Sequence, residues 1–315
     1  MSMAVSQPLC IVVASHRPAC MEALGERLCA IRECEPMVEV CVVTDYDPAA
    51  LRERYPAIGW VEVRDRSISR KRNAALSRTA ASLVGFTDDD CLPAMDWVRC
   101  ARAFLQAHPA CCAVEGKTTI DAPVSRAESL REYQRLEQPG YRTNNIVYRA
   151  AALRRAGGFD ERFSVQREDL DLALTLVEQG ETIGWCESMH VRHRYREHEP
   201  WDLLKNCWNR RFDPLLYRKH PRGYRRMVGS PLPLSLRCLG GVEVLGVVVV
   251  LARPLLWPGA AVVVLGALLG AVVRRRGGWH PGGLVREVGV MSVAPWVIVA
   301  ALMWGSLRYR SLLVW

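Results

Sequence analysis

The sequence predicts an α/β sheet domain followed by an apolar helical segment. Three observations carry that prediction. Up to about Gly229, short apolar runs alternate with stretches of helical spacing. Each strand-like run ends on polar or acidic residues. From Leu234 onward the chain is apolar over lengths that suit a bilayer. Composition agrees: of 315 residues, 50% are hydrophobic and 24% charged, with a formal net charge of +9. Disorder is excluded by that apolar content. The length suffices for a sizeable core with an appendage.

The elements follow in order. Leu9–Ser15 (LCIVVAS) reads as a strand ending in a turn at SHRP, and 18–34 has helical spacing. Val38–Thr44 is a second strand that stops at Asp45, and 59–63 is a weaker third. Residues 67–81 read as a basic helix with Arg70, Lys71, Arg72 and Asn73 in its first half. A fourth strand, 83–87, is stopped by Asp88, Asp89 and Asp90, and 94–107 reads as the next helix. Strands alternating with helices imply a mostly parallel sheet covered on both faces. In such sheets ligands lie beyond the carboxyl ends of the strands. Ser15, Asp45 and the Asp triplet all fall at such ends, so one crevice is expected to gather them.

Twelve cysteines are scattered without a CxxC pair. Metal-ligand spacing and a disulfide framework are both missing, so they read as reduced, mostly buried thiols, which suits a cytosolic face. The N-terminal MSMAVSQPLC has no basic stretch before a long apolar run. No secretory signal is expected, and the globular part is expected in the cytosol.

Three carboxylates directly after an apolar strand repel one another unless a cation or solvent relieves them. Asp88 and Asp90 share a face of extended chain, and their oxygens are hard ligands suited to Mg²⁺ or Mn²⁺. A solvated acidic turn is the alternative for a bare triplet. The surrounding segment, SISRKRNAALSRTAASLVGFTDDDCLPAMDWV, resembles the nucleotide-binding half of family 2 glycosyltransferases, which have the GT-A fold. The matching residues are Arg72, Asn73, Asp88, Asp90, Pro93 and Trp97. SHRP stands at the family's first-strand turn, and Asp45 at its second-strand acid. TNNIVYRAAALRRAGGFDERF looks like the acceptor-side segment, matching at Asn145, Arg149, Gly157, Gly158, Phe159 and Asp160. REDLDLALTLVEQG looks like the Glu-Asp motif, with Glu168, Asp169 and Asp171. The resemblance covers roughly residues 9–195. Two departures matter. Cys91 replaces the frequent fourth acid. The Gln-x-x-Arg-Trp motif of processive synthases is absent, 208–211 being a loose echo, so single-sugar transfer is expected.

By this resemblance the fold is GT-A, a Rossmann-like mixed sheet flanked by helices. Ser15, Arg17, Asp45, Arg72, Asn73, Asp88 and Asp89 would bind the nucleotide-sugar. Asp90, Asp88 and His193 would hold Mg²⁺ or Mn²⁺, with His193 fitting the pattern better than His190. Asn145, Gly157, Gly158, Phe159 and Glu168 would lie on the acceptor side. Asp169 would be the catalytic base, on the first turn of a helix over 168–178 where the dipole favours a carboxylate. A first helical turn prefers acids anyway, a Gly cap explains 157–158 structurally, and Trp97 reads as core. Attack from the face opposite the leaving group would invert the anomeric centre.

Residues 194–226 hold ten Lys and Arg against four Asp and Glu, with Trp201, Trp208, Phe212, Tyr217 and Tyr224 interleaved. Basic and aromatic residues before an apolar stretch mark a membrane surface rather than nucleic acid. Candidate spans are 234–252, 255–273 and 288–307. The first two are expected to form a hairpin; the third crosses or lies in the interface. The expected organisation is a transferase domain over 1–195, a basic juxtamembrane segment over 196–230, and a membrane region over 231–315 with two to three helices. The function that follows is transfer of a sugar from a nucleotide-sugar donor to a hydroxyl on a membrane lipid, lipid-linked glycan or cell-surface glycan. The site would be the cytoplasmic side of the inner membrane, the protein multi-pass. Alternatives are a metal-dependent nucleotidyltransferase and a non-catalytic membrane scaffold. The oligomeric state is not legible.

Overall fold

β1 (Leu9–Ser15) is buried at every position. Only a central strand covered on both faces can be apolar throughout. It pairs in parallel with β2 (Val38–Thr44) on one side and β4 (Leu83–Asp88) on the other, and β3 (Gly59–Glu62) extends the sheet beyond β2. The computed structural model describes residues 7–120, 134–196, 199–276 and 283–312. The described residues up to Tyr195 form one compact unit and those from Arg196 a second.

Beyond β4 the sheet departs from the mostly parallel arrangement. Its order is β3-β2-β1-β4-β7-β6-β8-β5. β7 (Asn145–Arg149) runs antiparallel to both β4 and β6 (Cys111–Ile120). β8 (Thr182–His193) is parallel to β6, and the short β5 (Cys91–Pro93) is antiparallel to β8. The β5–β8 register sets Cys91 opposite His193, which brings the end of β8 to the acidic turn after β4.

Alternate residues of β1 face opposite layers. Leu9, Ile11 and Val13 meet Leu24, Leu28 and Ile31 of α1 (Met21–Cys34), in the layer that also holds Trp97 of α4 (Trp97–Ala107). Cys10 and Val12 share the other layer with Phe86, Tyr148 and Phe159. Burying each large apolar side chain contributes about 1.5–3 kcal/mol. A short 3₁₀ turn, Pro18–Cys20, precedes α1, and α2 (Ala49–Arg54) precedes β3.

α3 (Ile68–Leu76) begins at the Ser67 cap, whose hydroxyl accepts from the Arg70 N–H. It ends five residues before the expected 81, because Arg78 N turns back to Ala75 O and Thr79 Oγ1 accepts from Ala81 N. Such side-chain bonds compete with helix continuation. α4 starts at Trp97 rather than 94, since Ala94 N is held by His190 O. α5 (Ala150–Arg155) and α6 (Glu168–Glu178) complete the first unit.

The second unit contains α7 (Pro200–Asn209), a 3₁₀ turn at Arg210–Phe212, α8 (Asp213–Lys219) and α9 (Pro221–Met227). α7 is opened by a reciprocal capping box of Glu199 and Asp202. α10 (Leu234–Ala252), α11 (Trp257–Arg276) and α12 (Leu284–Tyr309) follow. Among the described residues these three helices are long and apolar enough to cross a membrane.

Candidate active site

The carboxyl ends of β1, β2 and β4 meet where sheet topology requires. The β1 register sets Ala14 beside Asp88. The next residue, Asp89, turns beneath the strand ends and is buried. One of its oxygens accepts from His16 N at 2.9 Å, Arg17 N at 3.0 Å and Ser15 Oγ at 3.2 Å. The other accepts from the Arg17 guanidinium. Asp89 therefore ties the SHRP turn to the acidic turn, and its carboxylate faces the protein rather than a ligand. The side chain of Ser15 is likewise buried, bonded to Tyr46 Oη at 2.8 Å.

Lys71 is the residue that sequence reasoning missed here. It lies in a basic helix yet is fully buried. Its ammonium donates to Ser15 O at 2.7 Å, contacts His16 Nδ1 at 2.8 Å and pairs with Asp45 Oδ1 at 3.1 Å. Burial pulls the Lys71 pKa below its ordinary value against the attraction of Asp45. For Asp45, burial acts upward, but the bonds from His16 and Lys71 prevail and hold it low. Asp45 and His16 open onto a cleft of about 360 Å³ that Arg64 and Arg66 also line.

A second cleft, about 270 Å³, is lined by Arg72, Asp88, Asn144, Glu168, Asp169 and His193, with other residues. Arg72 is buried at its floor. One fork reaches Glu168 Oε1 at 2.8 Å and the other Asp88 Oδ1 at 3.1 Å, while its plane lies over Phe159. Both forks hold carboxylates, so Arg72 positions Asp88 and Glu168. Burial raises the Asp88 carboxyl despite Arg72. Burial, with Asp169 adjacent, pushes Glu168 up to about 7. Asp169 is half-buried on the first turn of α6, with Oδ1 accepting from Leu170 N at 2.7 Å. The residue before α6, Arg167, has φ 79°, a left-handed conformation that a non-glycine residue adopts at a cost. Glu168 Oε2 and Gln166 Oε1 are buried with no hydrogen-bond partner among the described residues, groups that a polar ligand would satisfy.

His193 and Asp90 stand together, Nε2 to Oδ1 at 3.5 Å, with Cys91 Sγ close by. His193 Nδ1 lies 2.9 Å from Arg194 O. Nε2, the ring's other nitrogen, is the one turned to the Asp90 carboxylate. Burial drives the Cys91 thiol well up, and soft sulfur suits Mg²⁺ or Mn²⁺ less than the oxygen and nitrogen beside it. Carboxylate oxygen and imidazole nitrogen fit Mn²⁺ or Mg²⁺. Arg17 also pairs with Asp90 at 2.8 Å. His190 instead bonds Thr119 Oγ1 at 2.8 Å.

Several residues expected to touch ligand bind protein instead. Asn145 is buried: its Oδ1 accepts from Trp97 Nε1 at 2.8 Å and its Nδ2 donates to Lys117 O and Met189 O. Its neighbour Asn144 lines the cleft. Asn73 clasps the loop after α5, accepting from Phe159 N and donating to Phe159 O. Gly158 has φ 76°, and a Cβ there would lie 2.8 Å from Asn73 Oδ1, so glycine is required for both reasons. Phe159 is packed against Phe86.

Glu115 is a second missed residue. It is buried on β6 and accepts four hydrogen bonds of 2.8–3.1 Å from the backbone N–H groups of Gly140, Tyr141 and Arg142. Burial raises its pKa against those bonds. It anchors the segment that delivers Arg142, Thr143 and Asn144 to the cleft. Glu115→Gln places an amide N–H₂ against those donors. It is expected to cost about 1–3 kcal/mol of stability and to lower turnover at least tenfold, read by urea unfolding and by initial rates.

No family model matches the chain, and no curated protein matches it. Among solved structures, a mannosyltransferase from Pyrobaculum calidifontis, in complex with GDP-Man and Mn²⁺, is similar over 96% of this chain and 87% of its own length. The TM-score is 0.56 at 16% identity. At that identity the likeness is one of fold. The chain has a glycosyltransferase-type mixed sheet flanked by helices, followed by three apolar helices.

Proposed function

We propose that the protein is a membrane-attached glycosyltransferase of the family 2 type. It would move one sugar from a nucleoside-diphosphate sugar to a hydroxyl acceptor with inversion. The observation that carries this reading is the meeting of Asp88, Asp90 and His193 with Glu168 and Asp169 at one rim of the sheet. The donor and Mn²⁺ of the structural neighbour support the donor class and the metal.

The β2-side cleft takes the nucleoside, with Asp45 and His16 accepting or donating at base and ribose while Lys71 fixes Asp45. Asp90, His193 and Asp88 would hold the divalent cation, which when bound offsets the charge growing on the departing diphosphate. Arg17, released from Asp90, faces that same anion. Arg72 holds Asp88 and Glu168 in register. Glu168, whose buried Oε2 has no hydrogen-bond partner among the described residues, binds a sugar or acceptor hydroxyl. Asp169 takes the proton from the attacking hydroxyl. The new bond joins that oxygen to the anomeric carbon as the bond to the diphosphate oxygen breaks on the opposite face. The electron pair leaves with the nucleoside diphosphate.

The apolar helices support attachment to the inner membrane, the transferase unit facing the cytosol, and an acceptor that is lipid-linked or a cell-surface glycan. Residues 1–195, 196–230 and 231–315 would then be the transferase, the juxtamembrane collar and the membrane region. Calorimetry of the detergent-solubilised protein with UDP, GDP and dTDP, with and without Mn²⁺, tests the donor site. Mn²⁺-dependent binding of one nucleotide is the expected result. Binding of none leaves a scaffold as the better reading.

A further inference from the structure

We infer that α12 does not cross the bilayer but lies along its surface, one apolar stripe toward lipid, so that both ends of the chain stay on one side. The inference rests on the membrane attachment proposed above and specifies its form.

α12 has two faces. Val290, Ala294, Ile298, Ala301 and Gly305, at helical spacing, are buried. Val285, Val293, Trp296, Met303 and Leu307 form an exposed, wholly apolar stripe.

The buried face is occupied lengthwise by the basic collar. At the first turn of α12, Arg286 pairs with Glu199 at 3.0 Å and lies over Trp201. Near the last turn Trp304 meets Trp208, and a Cβ on Gly305 would lie 2.1 Å from Arg211 O. Arg218 donates to Tyr309 O at 2.7 Å. These contacts reach from residue 286 to 309, about 35 Å of helix, against a hydrocarbon thickness of about 30 Å. A crossing α12 would carry α7 and α8 through hydrocarbon. With them would go Glu199, the Asp202–Lys205 pair and the Arg210–Asp213 pair. Charges at that depth are costly even when paired.

The other two apolar helices meet α12 differently. α10 is buried only at Leu236 and Leu239. It touches α12 where Gly240 abuts Pro295 and where Trp296 Nε1 donates to Glu243 at 2.8 Å. Beyond that point Val244, Leu245, Val247, Val248 and Leu251 are exposed, as are Val262 and Val263 early in α11, whereas Leu268 and Val272 near its end are buried. The α10–α11 hairpin is thus covered at its base and bare toward its tip. α12 meets the hairpin at its base through Pro295 and through Trp296, a member of the apolar stripe. Exposed tryptophans at 296 and 304 suit the interface.

The test uses the full chain with an epitope tag at each end, in sealed membrane vesicles of uniform orientation, with carbonate washing as a separate measurement. The expected result is retention after carbonate and two tags that are digested together or protected together by added protease. Retention with one tag digested and the other protected shows a third crossing and overturns the inference, leaving the attachment intact. Release by carbonate overturns the attachment, and the lipid-facing placement of α12 with it.

Discussion

Asp169→Asn is expected to lower transfer by about 10²–10⁴-fold, the range that general-base removal produces, while donor affinity stays within about twofold. The geometry supports that division. Asp169 lines the cleft between Arg72 and His193 and is half-buried there. Its Oδ1 accepts from Leu170 N, a bond that asparagine retains. The cleft proposed for the nucleoside, built around Asp45 and Lys71, lies on other elements. Single-turnover rates and calorimetric donor binding check the two halves separately. Unchanged turnover in the variant removes the base assignment. A matched loss of donor affinity points instead to a collapse of the first turn of α6.

The second large effect is expected from Asp90→Asn. Asn keeps the size but not the charge that attracts a divalent cation or Arg17. Donor binding in the presence of Mn²⁺ should weaken at least tenfold, by analogy with the loss seen when even the supporting shell of a metal site is changed. Binding measured in chelator should change little. Asp90 is partly exposed and its ion pair with Arg17 is at the surface, so stability should hardly move. Equal Mn²⁺ dependence in variant and parent contradicts the metal role of Asp90.

Much of the first half of the molecule was legible because its signals are local. The bounds of β1, β2 and α6 coincide with apolar runs and with acids at a helix start. Strand polarity alone placed Ser15 beside the acidic turn, where it bonds Asp89, but Asp45 and Asp88, expected in one crevice, line two separate clefts. What was not legible depends on partners distant in sequence. Lys71 and Glu115 read as ordinary charges; only the fold reveals that Asp45, or three backbone N–H groups, compensate their burial. Adjacent residues of an extended segment face opposite ways, so choosing Asn145 over Asn144 turned on a parity the sequence does not carry. The antiparallel insertion of β7 was hidden for the same reason: its apolar run is compatible with either direction. The hydropathy of α12 matches that of a membrane span, yet its buried face belongs to the collar.

Product analysis tests the central chemical claim most directly. With the donor selected by calorimetry and an acceptor in detergent, NMR follows the anomeric proton while chromatography identifies the released nucleotide. Nucleoside diphosphate appearing in step with transferred sugar, and a glycoside of opposite anomeric configuration to the donor, is the predicted outcome. Retained configuration, or pyrophosphate with a nucleotidyl group left on the acceptor, would contradict it.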